Sequence, residues 1–106
     1  MSQLAFDCVE AGLGFGQQRA AILAADTANA RTPGFVAHDA APGLSLTPGG
    51  ARFATILHEV SANGPVGVLE YAMGAQGQNL TRYHALVDQE RAMLHELRIV
   101  AEEARR

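Results

Sequence analysis

The feature that most constrains the fold of this chain is a long C-terminal stretch with helical periodicity and no proline. Between Val68 and Arg106 the large apolar residues recur at intervals of three and four, which predicts a single helix of the coiled-coil type. These positions are Leu69, Met73, Leu80, Tyr83, Val87, Leu94, Leu97 and Ala101, with Leu86, Met93 and Val100 widening the stripe. At about 1.5 Å per residue the helix would measure about 50 to 60 Å, which is too long for one compact domain of this size to cover.

A second amphipathic helix is predicted at the N-terminus. Ser2 suits its N-cap position. Small or apolar residues then advance by alternating fours and threes at Leu4, Cys8, Ala11, Phe15, Ile22 and Ala25, with Gln18 interrupting the pattern. The helix is expected to end near Asn29, because Pro33 disfavours helical geometry at Thr32 and the pair Pro33-Gly34 suits the centre of a type II turn.

Between these helices the sequence is rich in proline and glycine. Turns are predicted at Pro42-Gly43, Pro48-Gly49-Gly50 and Asn63-Gly64-Pro65. A short helix is predicted from Arg52 to Val60, where four large apolar residues stand at helical spacing, namely Phe53, Ile56, Leu57 and Val60. Short strands near Leu44 to Leu46 are the other structure that this composition allows.

The expected fold class is therefore mainly α. A single domain would comprise an N-terminal helix over residues 1–31, a loop-rich middle over 32–67 and a C-terminal helix over 68–106, with the two long helices paired as an antiparallel coiled-coil hairpin. The predicted helix-packing interface consists of Leu4, Cys8, Phe15, Ile22, Leu80, Val87, Leu94 and Leu97. Because tryptophan is absent and eleven glycines favour the unfolded chain, we expect stability to depend on partners.

Charge and the termini limit the possible partners. A formal net charge of −3 argues against a nucleic-acid partner, which would need a basic surface. All eight basic residues are arginine, a bias that fits either forked hydrogen bonds at protein interfaces or a GC-rich genome. The N-terminus lacks the basic start of a cleavable secretory signal, and we expect no transmembrane segment.

No residue pattern indicates catalysis, a cofactor or a metal site. The run from Gly12 to Gly16 lacks a preceding strand and a following Gly-Lys-Ser/Thr, so close helix packing is a better interpretation than phosphate binding. His84 and Asp88 share a helical face, but His95 lies three turns from His84, too far for one ion. The single Cys8 is interpreted as a small buried hydrophobe. We therefore expect no catalytic, cofactor-binding or metal-binding residues, and no enzyme.

The segment from Gln17 to Phe35 resembles the N-terminal signature of flagellar axial proteins. In that family an arginine-containing helix leads into Leu-Ala-x-Asn-x-Ala-Asn-x-x-Thr-Pro-Gly-Tyr. The matching residues are Ala28, Asn29, Thr32, Pro33 and Gly34, with Phe35 at the aromatic position and Asp26 replacing the usual Asn. The next residues, Val36 to Asp39, resemble the Lys/Gln-Ala-Arg-Asp of the FlgB branch. Glu70, Asn79 and Tyr83 are similar in spacing to that branch's Val-x-x-Glu and Asn-x-x-x-Tyr.

The resemblance implies a structural subunit of the proximal rod of the bacterial flagellar basal body. Such a subunit would be exported by the flagellar type III apparatus and would fold as it assembles in the periplasm. The implied partners are other rod proteins, the FliE-like adaptor and further copies in a ring or helix. The alternatives are a cytoplasmic helical adaptor or export chaperone, which would not need the signature from Asn29 to Phe35, and a small nucleotide- or metal-binding enzyme.

Overall fold

The chain folds into two long helices joined by a small antiparallel sheet of two strands. The computed structural model describes residues 3–48 and 50–106, with the backbone alone at 44–47 and 50–54. The elements are helix α1 at Gln3–Asn29, strand β1 at His38–Thr47, strand β2 at Gly50–Glu59 and helix α2 at Gly64–Ala104. The expected N-cap, Ser2, lies outside the described residues.

Helix α2 sets the dimensions of the molecule. It contains 41 residues, and the fold measures 65 × 26 × 14 Å. The prediction of a long C-terminal helix is therefore confirmed, although the helix begins at Gly64 and not near Val68. Pro65 lies in its first turn, where the missing backbone N–H removes no hydrogen bond from the helix.

The middle of the chain is a β-ribbon, and the predicted short helix from Arg52 to Val60 is wrong. β2 occupies nearly all of this segment and pairs antiparallel with β1, with His38 opposite Glu59 and Ala41 opposite Ile56. A helix of two turns has too few hydrogen bonds to offset its nucleation cost, whereas the β-branched residues of this segment suit an extended strand.

The predicted turn at Pro42-Gly43 is also wrong, because both residues lie inside β1. Proline lacks an N–H and is tolerated only where a strand has a free side. In a sheet of two strands each strand has such a side, so Pro42 fits without loss of pairing. The extended structure considered around Leu44 to Leu46 is confirmed as part of β1.

Helix α1 ends where the sequence predicts. The Thr32 backbone N–H donates to the Asn29 carbonyl at 2.9 Å, and the Phe35 N–H donates to the Thr32 carbonyl at 3.1 Å. Gly34 has a φ of 78°, the left-handed value that the third residue of a type II turn requires and that glycine adopts without strain. The Thr32-Pro33-Gly34 turn thus redirects the chain from α1 towards β1.

The core is small and centres on α1, which packs against α2 and against both strands. Its buried apolar residues are Val9, Leu23, Ala37, Ala40, Ala72 and Ala75. Because most of them are alanines, the apolar area buried per residue is low. Among the described residues, neither helix contains a stretch apolar enough and long enough to cross a membrane.

Candidate functional site

One buried carboxylate connects three of the four elements. Asp39, near the start of β1, is only 2% exposed. The Arg19 guanidinium on α1 donates through Nε to Asp39 Oδ1 at 2.8 Å and through Nη2 to Oδ2 at 2.9 Å. The Tyr71 hydroxyl on α2 donates to Oδ2 at 2.5 Å, and the Ala40 N–H donates to Oδ1 at 2.7 Å. Asp39 therefore accepts four hydrogen bonds, and we call these three side chains the Asp39 cluster.

The surroundings of Asp39 favour its ionised form. Burial by itself opposes the charge, but the hydrogen bonds from Arg19, Tyr71 and the Ala40 N–H outweigh it and lower the pKa of Asp39 to about 2. At neutral pH a carboxylate with so low a pKa and four hydrogen-bond donors stays ionised, so it neither takes up nor releases a proton. The cluster is thus suited to holding elements together and not to general acid–base chemistry.

The partners of Asp39 respond in the expected directions. The hydrogen bond to Asp39 raises the pKa of the Arg19 guanidinium, so this buried cation stays charged. The same kind of hydrogen bond, assisted by burial, raises the pKa of the Tyr71 hydroxyl and keeps it protonated as a donor. Arg19 and Asp39 form a forked pair, the geometry in which a buried ion pair is strongest.

A second buried carboxylate lies near the C-terminal end of α1. Asp26 is 2% exposed, and its Oδ1 accepts a hydrogen bond of 3.0 Å from the His38 backbone N–H at the start of β1. Its other oxygen, Oδ2, is buried without a hydrogen-bond partner in the described part of the chain. Asp26 thus connects the last turns of α1 to the ribbon through one oxygen, while its other oxygen makes no hydrogen bond.

Side-chain amides connect the two helices. Asn79 Nδ2 donates to the Gly16 carbonyl at 2.9 Å, and Gln76 Nε2 donates to the Ala20 carbonyl at 2.9 Å. A Cβ added at Gly16 would lie 3.1 Å from Tyr83 Cδ2, closer than ordinary van der Waals contact. For Gly16, the interpretation of the glycine run as a site of close helix packing is therefore confirmed.

Several of the residues that carry the resemblance to flagellar axial proteins lie at the junctions between elements. Asn29 and the Thr32-Pro33-Gly34 turn end α1, Asp39 forms the cluster, and Asn79 joins the helices. Tyr83 packs over Gly16, and its hydroxyl accepts a hydrogen bond of 3.2 Å from Gln17 Nε2. The remaining signature positions are Ala28 and Glu70, which are exposed, and Phe35, which is half-buried.

The eight positions predicted to form a helix-packing interface are not the buried core of the single chain. Cys8, Phe15, Ile22 and Val87 are half-buried, and Leu4, Leu80, Leu94 and Leu97 are exposed. The buried residues of α2 are instead the small or amide residues Ala72, Ala75 and Asn79, and Asn79 donates to the carbonyl of Gly16 on α1. The larger apolar residues remain available on the surface, and their packing in an assembly stays a prediction.

Two residues of the Asp39 cluster had no role in the sequence interpretation. Arg19 belongs to the segment that resembles the axial-protein signature, and Tyr71 lies next to the apolar stripe without belonging to it. An arginine inside the alanine-rich stretch of α1 is the signal from which a buried ion pair could have been predicted. In the described residues, no three His, Cys, Asp or Glu side chains are grouped so that they hold a metal ion.

In comparisons with known proteins, no family model, no curated protein and no solved structure matches the chain.

Proposed function

We propose that this chain is a structural subunit of the proximal rod of the bacterial flagellar basal body, of the FlgB type. The observation that carries the proposal is the placement of the signature residues. Asn29, Gly34, Asp39 and Asn79 each make a contact or a turn that joins two elements. Residues that match a family signature and also determine the fold support a relationship to that family better than the sequence match alone.

In this proposal α1 and α2 form an antiparallel coiled-coil hairpin. Partner numbers fall along α2 as they rise along α1: Gly16 meets Asn79, and Ala20 meets Gln76. This order is the one that two helices running in opposite directions produce. The hairpin supplies an elongated subunit, a shape that suits packing beside its neighbours in a tube.

The exposed apolar residues of α2 support assembly. Met73, Leu80 and Leu94 are 70%, 55% and 45% exposed, although a single chain gains stability by burying such side chains. Large exposed apolar residues that follow one helix are typical of surfaces that become buried on association. The small alanine-rich core indicates that association adds a substantial part of the final stability.

The proposal includes export by the flagellar type III apparatus, followed by folding on assembly with other rod proteins, the FliE-like adaptor and further copies. The test is circular dichroism and sedimentation of the purified chain, alone and mixed with rod proteins of the same bacterium. We expect a fold of low stability for the chain alone, and a gain in helicity with formation of a larger species on mixing. A compact monomer that binds none of the rod proteins would contradict the proposal and favour the cytoplasmic adaptor or chaperone.

A further inference from the structure

One flank of α2 carries two parallel rows of residues with different chemistry. The apolar row consists of residues spaced by seven, namely Val66, Met73, Leu80, Val87 and Leu94. Leu80, Val87 and Leu94 are each followed four positions later by a histidine or an arginine. These residues, His84, Arg91 and Arg98, form the basic row, and Arg105 extends it by one further heptad. Residues four apart are neighbours on a helix, so the two rows lie side by side.

Both rows are open to partners in the single chain. Of the apolar row, only Val87 is half-buried, and the rest is exposed. All four residues of the basic row are exposed. An open depression of about 440 Å³ lies between the rows and is lined by Tyr83, His84, Val87, Asp88 and Arg91. Asp88 stands on the far side of the basic row, so this border of the apolar row is basic, whereas the opposite border carries one acidic residue, Glu90.

We propose that this two-row surface of α2 binds an amphipathic helix of a partner protein whose own apolar stripe is bordered by acidic residues. A spacing of seven is the heptad repeat, so this row can supply one of the two seam positions per heptad along which a partner helix packs in a coiled coil. Residues that border such a seam select partners by charge, so a basic border selects an acidic one. The inference rests on the proposed assembly function and identifies the kind of partner.

One glycine adds a steric argument for the same surface. Gly77 lies one turn from both Met73 and Leu80, and a Cβ added there would meet nothing within 4 Å. No contact within the described part of the chain therefore accounts for glycine at this position, although glycine weakens a helix interior. The close approach of a partner backbone would account for it. This argument supports the surface that the two rows define.

The test uses the full chain and two designed helical peptides as probes. Both peptides have about four heptads with leucine at the seam, and one carries glutamate and the other lysine at the flanking positions. We expect the glutamate peptide to bind more tightly, with an affinity that falls as salt rises from about 0.05 to about 0.5 M. Equal binding of the peptides, no binding of either, or binding only to anionic lipid vesicles would overturn the proposal.

Matched variants assign the binding to this surface. Arg91→Glu is expected to weaken binding of the glutamate peptide about fivefold, whereas Arg82→Glu, an equal charge change half a turn away around α2, leaves it unchanged. Gly77→Ala should raise the helix's thermal stability and yet weaken binding, while Gly14→Ala on α1 should raise stability alone, since its added Cβ also meets nothing within 4 Å. Equal effects within either pair would reject the surface.

The same variants separate this inference from the proposed function. If the unaltered chain assembles with rod proteins and Arg91→Glu assembles equally well, the surface is wrong and the rod proposal stands. If the unaltered chain binds the glutamate peptide but no rod protein, the surface stands and the rod proposal fails.

Discussion

Arg19 and Asp39 form a buried, forked ion pair between the middle of α1 and the start of the β-ribbon. Both N···O distances are below 3.0 Å. The Tyr71 hydroxyl extends the pair to α2, whose first turns are far from Asp39 in sequence. A single carboxylate therefore helps to fix the relative positions of the ribbon and both helices, and the first two predictions below follow from it.

The first prediction is that the pair is energetically coupled. Removing one partner leaves a buried charge uncompensated, so Asp39→Ala or Arg19→Ala should lower the free energy of unfolding by about 3 to 5 kcal/mol. The double variant should lose clearly less than the sum of the two single losses. Urea unfolding followed by circular dichroism measures these values. Arg31→Ala, at an exposed arginine, is the control, and simple additivity would contradict the coupling.

The second prediction concerns acid. The pKa of Asp39 falls from an ordinary value of 3.8 to about 2 on folding. A carboxyl with a lowered folded-state pKa contributes stability that is fully present above its unfolded pKa and is lost as the pH falls through the folded one. Between about pH 4 and pH 2 the chain should therefore lose about 2 kcal/mol through this group.

The acid prediction is checked by urea midpoints across this pH range. Asp39→Asn should remove that portion of the pH dependence, whereas Asp7→Asn, at a half-buried position on α1 outside the Asp39 cluster, should retain it. Identical pH profiles for the native chain and Asp39→Asn would show that Asp39 contributes nothing to acid sensitivity.

The third prediction concerns the unsatisfied oxygen of Asp26. Asp26→Asn keeps an oxygen that accepts from the His38 N–H and removes charge from a buried atom without a donor, so stability at neutral pH should rise by about 1 kcal/mol. Asp26→Ala also removes the acceptor and should lower stability by about 1 to 3 kcal/mol. Thermal unfolding ranks the variants, and a less stable Asn variant would show that Oδ2 has a favourable interaction.

The fourth prediction compares two glycines of α1. Alanine at Gly14 meets open space and should stabilise the helix by about 0.5 to 1 kcal/mol. Alanine at Gly16 gains the same helix propensity, but its Cβ presses on the Tyr83 ring. The free energy of unfolding of Gly16→Ala should therefore be lower than that of Gly14→Ala by about 1 kcal/mol or more. Equal stabilities would mean that the Tyr83 ring moves aside without cost.

The fifth prediction tests assembly in the cell. Leu94 is exposed in the single chain, so Leu94→Asp should leave synthesis unchanged but abolish incorporation into the rod, because an interface would bury the added charge. Gln78→Asp adds the same charge at an exposed position on the opposite side of α2 and serves as the control. Motility and isolated basal bodies provide the measurement, and normal rods with Leu94→Asp would count against packing through this row.

Local patterns in the sequence were sufficient for the helices and the turn. The absence of proline after Pro65 and the apolar periodicity determine α2, and Pro33-Gly34 determines where α1 ends. These features depend on neighbours within a few residues, which a sequence displays directly. The ribbon was missed for the opposite reason. Whether residues 52–60 form a helix or a strand depends on pairing with β1, and spacing alone cannot reveal that pairing.

The sequence by itself determined two long helices, the turn after α1 and the apolar stripe along α2. Only the tertiary structure decided which residues the single chain buries. It selected Arg19, Asp39 and Tyr71 as a cluster and left Leu80 and Leu94 exposed. The physical reason is that an amphipathic stripe gives the direction in which a helix can pack, whereas contacts between residues 20 to 63 positions apart depend on how closely the backbones approach.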